Sequence, residues 1–162
     1  MINLKKIKKV LTFFAHPDDE TLAAGGTIKK LTDQGVEVHV AIPATGITSR
    51  RNIQNNKSLD SELFNLRQDT EKALAILGVT PKNIHLGNFP DNEMDKHSLL
   101  ELIHWLEAII DDVKPDLIFT HHRYCTNIDH QYCHNAAIVA TRPGLNNHIT
   151  LVSCEVPSST GY

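Results

Sequence analysis

Between Phe14 and Glu20 the chain reads Phe-Ala-His-Pro-Asp-Asp-Glu, which gathers one imidazole (His16) and three carboxylates (Asp18, Asp19, Glu20) into five residues. Carboxylates so close together repel one another unless a positive charge sits among them, and a divalent metal is the simplest candidate. Zinc takes His nitrogen and Asp oxygen, and its catalytic sites use three protein ligands with a further position open to water. His16 and Asp19 are three residues apart, about one helical turn, so both can turn inward while Asp18 stays beside the ion. Helix capping competes with this reading, because Asp is a favoured N-cap and acidic residues suit a first turn. Capping accounts for one carboxylate, but not for the histidine and both aspartates.

The elements that must hold this cluster follow from the pattern around it. An apolar run, Val10 to Phe14, leads in as a strand, and a helical pattern with apolar Leu22, Ile28 and Leu31 leads out, running from Thr21 to Gln34 and closed by Gly35. Further strands are expected at Val36–Ile42, Ile84–Leu86, Leu117–Phe119 and Ile149–Val156. Further helices are expected at Leu59–Leu77, with Leu63, Leu66, Ala73, Leu74 and Leu77 inward, at Ser98–Val113 and at Gln131–Thr141. His39 falls out of the apolar alternation and reads as an exposed or edge position. Strands alternating with helices predict a three-layer, Rossmann-like α/β domain with a mostly parallel sheet, in which ligands bind at the carboxyl ends of the strands. No Gly-x-Gly-x-x-Gly follows the first strand, so a dinucleotide site is not expected.

The Ala15-His16-Pro17-Asp18-Asp19-Glu20 string resembles the signature of the LmbE/PIG-L family, zinc-dependent deacetylases that act on N-acetylglucosamine-type sugars, and the likeness runs through nearly the whole chain. The loop Thr120–His130 is similar to the family's second motif, in which an Asp-His pair opens a helix. The resemblance thereby implies His130 as the third ligand of one Zn²⁺ with His16 and Asp19, Asp129 as its supporting neighbour, and Asp18 as the residue that moves protons. Many members carry a histidine where this chain has Asn127, so His121 is expected to supply the missing imidazole as a second catalytic residue, with His122 beside it as the other choice. His134, one turn after His130, has no counterpart and is expected to point elsewhere. Arg50, Arg67, Asp91 and Asn127 are the expected substrate-binding residues. For Asp91 the rival is a Pro-Asp-Asn turn, and for the arginines it is a solvated face. The Ala136–Pro143 continuation resembles a subgroup found in envelope-polysaccharide gene sets. In the family a string like Glu155-Val-x-Ser-Ser-Thr lies at the site rim and the chain goes on, so part of the family domain is expected to be absent from this chain.

Composition bounds the remaining choices. With 162 residues, 41% apolar and 22% charged, the chain is expected to form one domain, long enough to bury roughly 70% of its unfolded surface. A formal charge of −3 argues against a nucleic-acid partner. The three cysteines, Cys125, Cys133 and Cys154, form no Cys-x-x-Cys pair and suggest a reducing compartment; Cys125 and Cys133, which flank a candidate ligand, read as small buried thiols rather than a zinc pair. The Lys5–Lys9 stretch and the short run after it do not make a signal peptide. No stretch reaches the ~18 apolar residues of a membrane span. These features lead to the expectation of a cytoplasmic protein, and the resemblance implies an enzyme acting on an N-acetylated amino sugar, with a homo-oligomer left open. The rival functions are a two-metal phosphoesterase and a sugar- or partner-binding domain without turnover.

Overall fold

Val10, Leu11, Phe13 and Phe14 are all fully buried, and they fall on two different faces because successive strand side chains point opposite ways. Leu11 and Phe13 enter one apolar cluster while Val10 and Phe14 enter another, so the first strand is central and covered on both sides. The computed structural model describes residues 7–46, 56–144 and 148–160. Its elements are β1 (Lys9–Phe13), α1 (Asp19–Asp33), β2 (Glu37–Ala44), α2 (Asn56–Ile76), β3 (Ile84–Phe89), α3 (Leu99–Val113), β4 (Leu117–His121), α4 (Ile128–Ala140), β5 (Thr150–Cys154) and the short α5 (Pro157–Thr160).

The five strands form one sheet in the order β3-β2-β1-β4-β5, and every pair is parallel. Helices α1 and α2 contribute Ala24, Ile28, Leu31 and Leu74 to the cluster on one face. Helices α3 and α4 contribute Leu102, Leu106, Ile110, Cys133 and Ala137 to the cluster on the other. The three-layer α/β architecture is therefore present, and the sheet is parallel throughout the described residues rather than mostly so. Chain direction across the sheet reverses between β1 and β4, which lie side by side. That is the topological switch point where open α/β sheets leave a crevice.

Boundaries differ from the sequence expectations where polar residues continue a strand. Strand β3 runs on through Asn88 and Phe89, and β4 through Thr120 and His121, both fully buried. Helix α4 starts three residues earlier than expected because Asn127 caps it, its Oδ1 accepting from the Asp129 and His130 amides at 2.9 and 3.4 Å. His39 corrects the expectation of an exposed position: it is 7% exposed, with Nε2 2.9 Å from Glu37 Oε1 and Nδ1 3.1 Å from His85 Nε2. A polar residue can occupy an inward position when both ring nitrogens are partnered. Leu22 is exposed on α1 while Ile28 and Leu31 are buried, and on α2 Ala73, expected inward, is exposed while Leu74 is fully buried.

Pro43 lies within β2, where it offers no amide to the ladder, and the β2–β3 register shifts between Ile42 and Ala44. Gly87 lets the strands approach there, because a Cβ on it would lie 2.8 Å from Pro43 Cα and closer still to the Pro43 carbonyl oxygen. Both contacts are with backbone, so Gly87→Ala is expected to destabilise the fold by about 1–3 kcal/mol. Urea denaturation checks this; an unchanged midpoint would show that the two strands separate there at no cost.

Candidate metal centre

The loop after β1 carries His16 into the crevice, and α1 opens immediately behind it, with the Asp19 amide donating to the His16 carbonyl at 3.2 Å. Asp19 is buried and turned inward, its Oδ2 accepting from the His16 amide at 3.1 Å. From the neighbouring strand, β4 and its loop bring in the first turn of α4 with Asp129 and His130, both buried. Three ligand atoms meet: His16 Nδ1 to Asp19 Oδ2 at 3.2 Å, His130 Nε2 to Asp19 Oδ2 at 3.0 Å, and His130 Nε2 to His16 Nδ1 at 3.2 Å. A tetrahedral ion with ligands at about 2.0–2.1 Å separates them by about 3.3–3.4 Å. Two nitrogens and one oxygen at nearly that spacing fit such an ion.

The far side of His16 is built as carefully. Its Nε2 lies 3.0 Å from Asp129 Oδ2 and 3.2 Å from Asp91 Oδ1, and Asp129 also accepts from the Asn92 amide at 2.6 Å and the Met94 amide at 3.1 Å. A ligating histidine characteristically donates its other ring N–H to a carboxylate, which sets tautomer and orientation. His16, Asp91 and Asp129 also form a ligand-bearing triple. Because it shares His16 with the first triple and Asp129 is satisfied by backbone amides, it reads as the clamp on His16.

The electrostatics express the same demand for positive charge. Burial pushes the His16 imidazole down, but hydrogen bonds to Asp129 and Asp19 and the charges of Asp19 and Asp91 override this and raise its pKa to about 10. Burial pushes the Asp19 carboxyl up, and the hydrogen bonds from His130 and His16 outweigh it, holding the group well below the usual carboxylate range. Burial raises Glu20, whose Oε2 accepts from the Asp18 amide at 3.2 Å.

Asp18 is exposed and sits at the N-cap of α1 with φ 118° and ψ −31°, and its side chain makes no capping hydrogen bond. Capping therefore does not explain this carboxylate. A non-glycine residue at such a φ costs of order 1–3 kcal/mol, and such strain concentrates at functional sites.

The remaining residues of the sequence analysis fall as follows. His121 is fully buried beneath the site, not on the cleft wall. Its Nε2 accepts from the Ala15 amide at 2.7 Å, and its ring stacks on His130 at 3.7 Å and 13°. With burial first among the causes, then the charge of His130, its pKa lies well below that of an ordinary imidazole. An imidazole whose accepting nitrogen is taken by backbone, and which does not line the cleft, is placed against the expected acid role. His134 points away from the cluster, as expected, its Nδ1 2.8 Å from the His121 carbonyl. Asn127 lines the cleft, but its Oδ1 serves the α4 cap and its Nδ2 donates to Asn92 Oδ1 at 2.9 Å. Asp91 is buried in the cleft wall, and Asn92 Nδ2 donates to its Oδ1 at 2.9 Å. Arg67 is exposed on α2 and donates to Asn88 Oδ1 at 2.7 Å, away from the residues that line the cleft. Arg50 lies outside the described residues.

The cleft has a volume of about 190 Å³, and His16, Asp18, Asp19, Asp91, Asn127 and His130 are among its walls. A larger hollow of about 250 Å³ lies elsewhere, between Ile110, Lys114 and His148; it contains none of this chemistry. Asn92, Glu20 and Cys125 have no assigned role in the sequence reading, whereas Ser159 falls in the string expected at the site rim and lines the cleft. Short side chains holding a site from behind leave no periodic or spacing signal.

With a parallel α/β sheet and a His-Asp-His cluster at its switch point on view, the chain can be set beside known proteins. Residues 11–141 match the PIG-L family, GlcNAc-PI de-N-acetylase, and the chain belongs to that family. It is 34% identical over 114 residues to a probable N-acetyl-alpha-D-glucosaminyl L-malate deacetylase 2 of Bacillus cereus, covering 70% of this chain and 51% of that protein. It is 30% identical to the uncharacterized deacetylase YaiS of Escherichia coli, covering 85% and 70%. Among solved structures it superposes with a TM-score of 0.77 and 27% identity on an N,N'-diacetylchitobiose deacetylase of Pyrococcus horikoshii, covering 93% of this chain and 61% of that one. The chain thus spans about half the length of the Bacillus relative. Among the described residues no helix is long and apolar enough to cross a membrane.

Two predictions follow from the site alone. Asp18→Gly is expected to stabilise the fold by about 1 kcal/mol by relaxing the positive φ; urea unfolding checks it, and a loss of stability would show that the Asp18 side chain contributes more than its backbone costs. The metal-free chain has a defined pH window. His16 has its pKa raised from 6.5 to about 10, so its contribution is complete below pH 6.5 and fades as pH climbs to about 10. Asp19 has its pKa lowered from 3.8, so its contribution is present above that value and is lost in acid. Chelator-treated protein should therefore lose stability steadily between pH 6.5 and 10, and zinc should abolish the decline by binding deprotonated His16. Equal unfolding midpoints at pH 6.5 and 10 in chelator would contradict the charge assignment.

Proposed function

We propose that the chain is the catalytic domain of a zinc-dependent deacetylase that hydrolyses the acetamide of an N-acetylated amino sugar of the GlcNAc type. The observation that carries this reading is the convergence of His16 Nδ1, Asp19 Oδ2 and His130 Nε2 within 3.2 Å of one another beside an exposed, strained carboxylate. The names of the relatives agree with it, since they speak of deacetylases. His16, Asp19 and His130 would hold the ion. When bound, Zn²⁺ supplies Lewis acidity toward the acetyl carbonyl and makes water more acidic.

The proton work falls to Asp18, which lines the cleft at the mouth of the site. Its carboxylate accepts a proton from the water that attacks the acetyl carbon and returns it to the amine nitrogen as the C–N bond breaks, releasing acetate and the free amino sugar. Glu20 holds the Asp18 main chain from behind through the Asp18 amide. His121 orients rather than titrates: it ties Ala15, next to His16, to the ring of His130. Asp91, in the cleft wall, is assigned to a sugar hydroxyl, and the Asn92–Asn127 amide pair is the polar edge over which the sugar would lie. A two-metal phosphoesterase would need enough ligands for two ions, whereas among the described residues the two ligand triples share His16.

Metal content by mass spectrometry, paired with acetate release from N-acetylglucosamine-type sugars, tests the proposal. About one zinc per chain is expected, and none in His130→Ala. Asp18→Asn should keep its zinc and lose roughly 10²–10⁴-fold in turnover. Zinc bound with no acetate released from any N-acetyl sugar would leave a binding domain in place of the enzyme.

A further inference from the structure

We infer that Cys125 is a positioning residue for the third metal ligand, its thiol doing for His130 what the Asp129 carboxylate does for His16. The inference rests on the reading of His130 as a ligand. His130 Nε2 faces Asp19 and His16, so Nδ1 is the nitrogen left to be anchored, and the atom opposite it at 3.0 Å is Cys125 Sγ. Both residues are 1% exposed, so water does not compete for that contact.

The hydrogen bonding around the sulfur has a single consistent direction. Sγ donates to the Ser159 carbonyl at 3.4 Å, leaving a sulfur lone pair to accept the Nδ1–H of a His130 that ligates through Nε2. The Ser159 carbonyl also accepts from the Thr126 amide at 3.1 Å and the Thr126 hydroxyl at 2.8 Å. A chain of contacts therefore runs from the cleft rim through the thiol to the ligand. With His121 stacked on its face at 3.7 Å, the His130 ring is fixed on one face and at its back edge.

This makes the two histidine ligands unequal. His16 is backed by carboxylates, whose charge strengthens the hydrogen bond and raises the basicity of the ring. His130 is backed by a neutral sulfur, a weak acceptor. Removing the sulfur should still be costly, because outer partners of ligating histidines typically contribute roughly 10–100-fold to metal affinity.

The test is the zinc dissociation constant of the full chain, measured by competition with a chromophoric chelator, for the unsubstituted protein, Cys125→Ala and Cys125→Ser. Urea midpoints of each in excess chelator accompany it. Cys125→Ala is expected to bind zinc roughly 10–100-fold more weakly, and Cys125→Ser, which keeps both a donor and an acceptor, to recover most of the loss. A role in packing alone would lower the midpoint of chelated Cys125→Ala and leave its zinc affinity unchanged. That result, or a serine variant as weak as alanine, overturns the inference while the ligand assignment stands. If the unsubstituted chain binds no zinc, the reading of His130 and this inference fall together.

Discussion

Three carboxylates, Asp19, Asp91 and Asp129, converge within 3.2 Å on the two nitrogens of one imidazole, and all three are buried. Buried charge of one sign is tolerated only when it is neutralised or fully hydrogen-bonded. Much of the surrounding structure meets that demand. The Asn92 and Met94 amides are turned onto Asp129, the His16 amide onto Asp19, and Asn127 is committed to capping α4 so that Asp129 and His130 enter the site in fixed orientation. What these donors leave unbalanced is carried by His16 itself, held protonated far above the ordinary imidazole range when no cation is present. A divalent ion on the Nδ1 side relieves the same imbalance, and the demand for charge is thus also a reason for metal affinity.

Only a particular topology brings those groups together. His16 and His130 are 114 residues apart in sequence, yet they leave adjacent parallel strands at the same edge of the sheet. Strands β1 and β4 are neighbours because the chain winds outward through β2 and β3, then crosses back over the sheet to lay β4 on the other side of β1. Short loops join those strands to α1 and α4, so His16 stands just before α1, Asp19 opens it, and Asp129 and His130 stand in the first turn of α4, backed by clusters of buried residues on either face. A rigid core on both sides of β1 is what allows ligand atoms from two distant segments to be held near the spacing of an ion.

How much of this was legible in the chain depends on whether a residue's role is local. His16, Asp18 and Asp19 announce themselves by density of charge, and alternating apolar periods were enough for the α/β class and the two-faced central strands. His39 was misread because an inward polar residue becomes acceptable only when Glu37 and His85 are in place, and His85 arrives from another strand. The expectation of an acid role for His121 rests on Asn127 standing where many family members carry a histidine. That His121 spends its accepting nitrogen on the Ala15 amide is a fact of the β1–β4 neighbourhood, invisible in either segment alone. Cys125 drew attention only as a small buried thiol flanking a candidate ligand. Its place behind His130 depends on the turn that precedes α4, which no apolar period encodes.

The site divides its residues by burial, and the division has a physical reason. Metal ligands must be held still, and the proposed ligands His130 and Asp19 are almost fully enclosed, each contacted by several partners. A residue that passes a proton between water and substrate must reach both, and Asp18, proposed for that work, is exposed at the cleft wall. Exposure alone would leave its carboxylate free to wander. The positive φ at Asp18, maintained by the Glu20 carboxylate on its amide and by the Thr21 and Leu22 amides on its carbonyl, fixes where the side chain leaves the backbone. The adjacent ligand explains why that conformation is kept in spite of its cost: Asp19 has to turn inward at the first position of α1, and the residue before it can face the cleft only if the chain reverses sharply between the two. Backbone strain at Asp18 is thus the local consequence of burying one carboxylate and exposing the one before it.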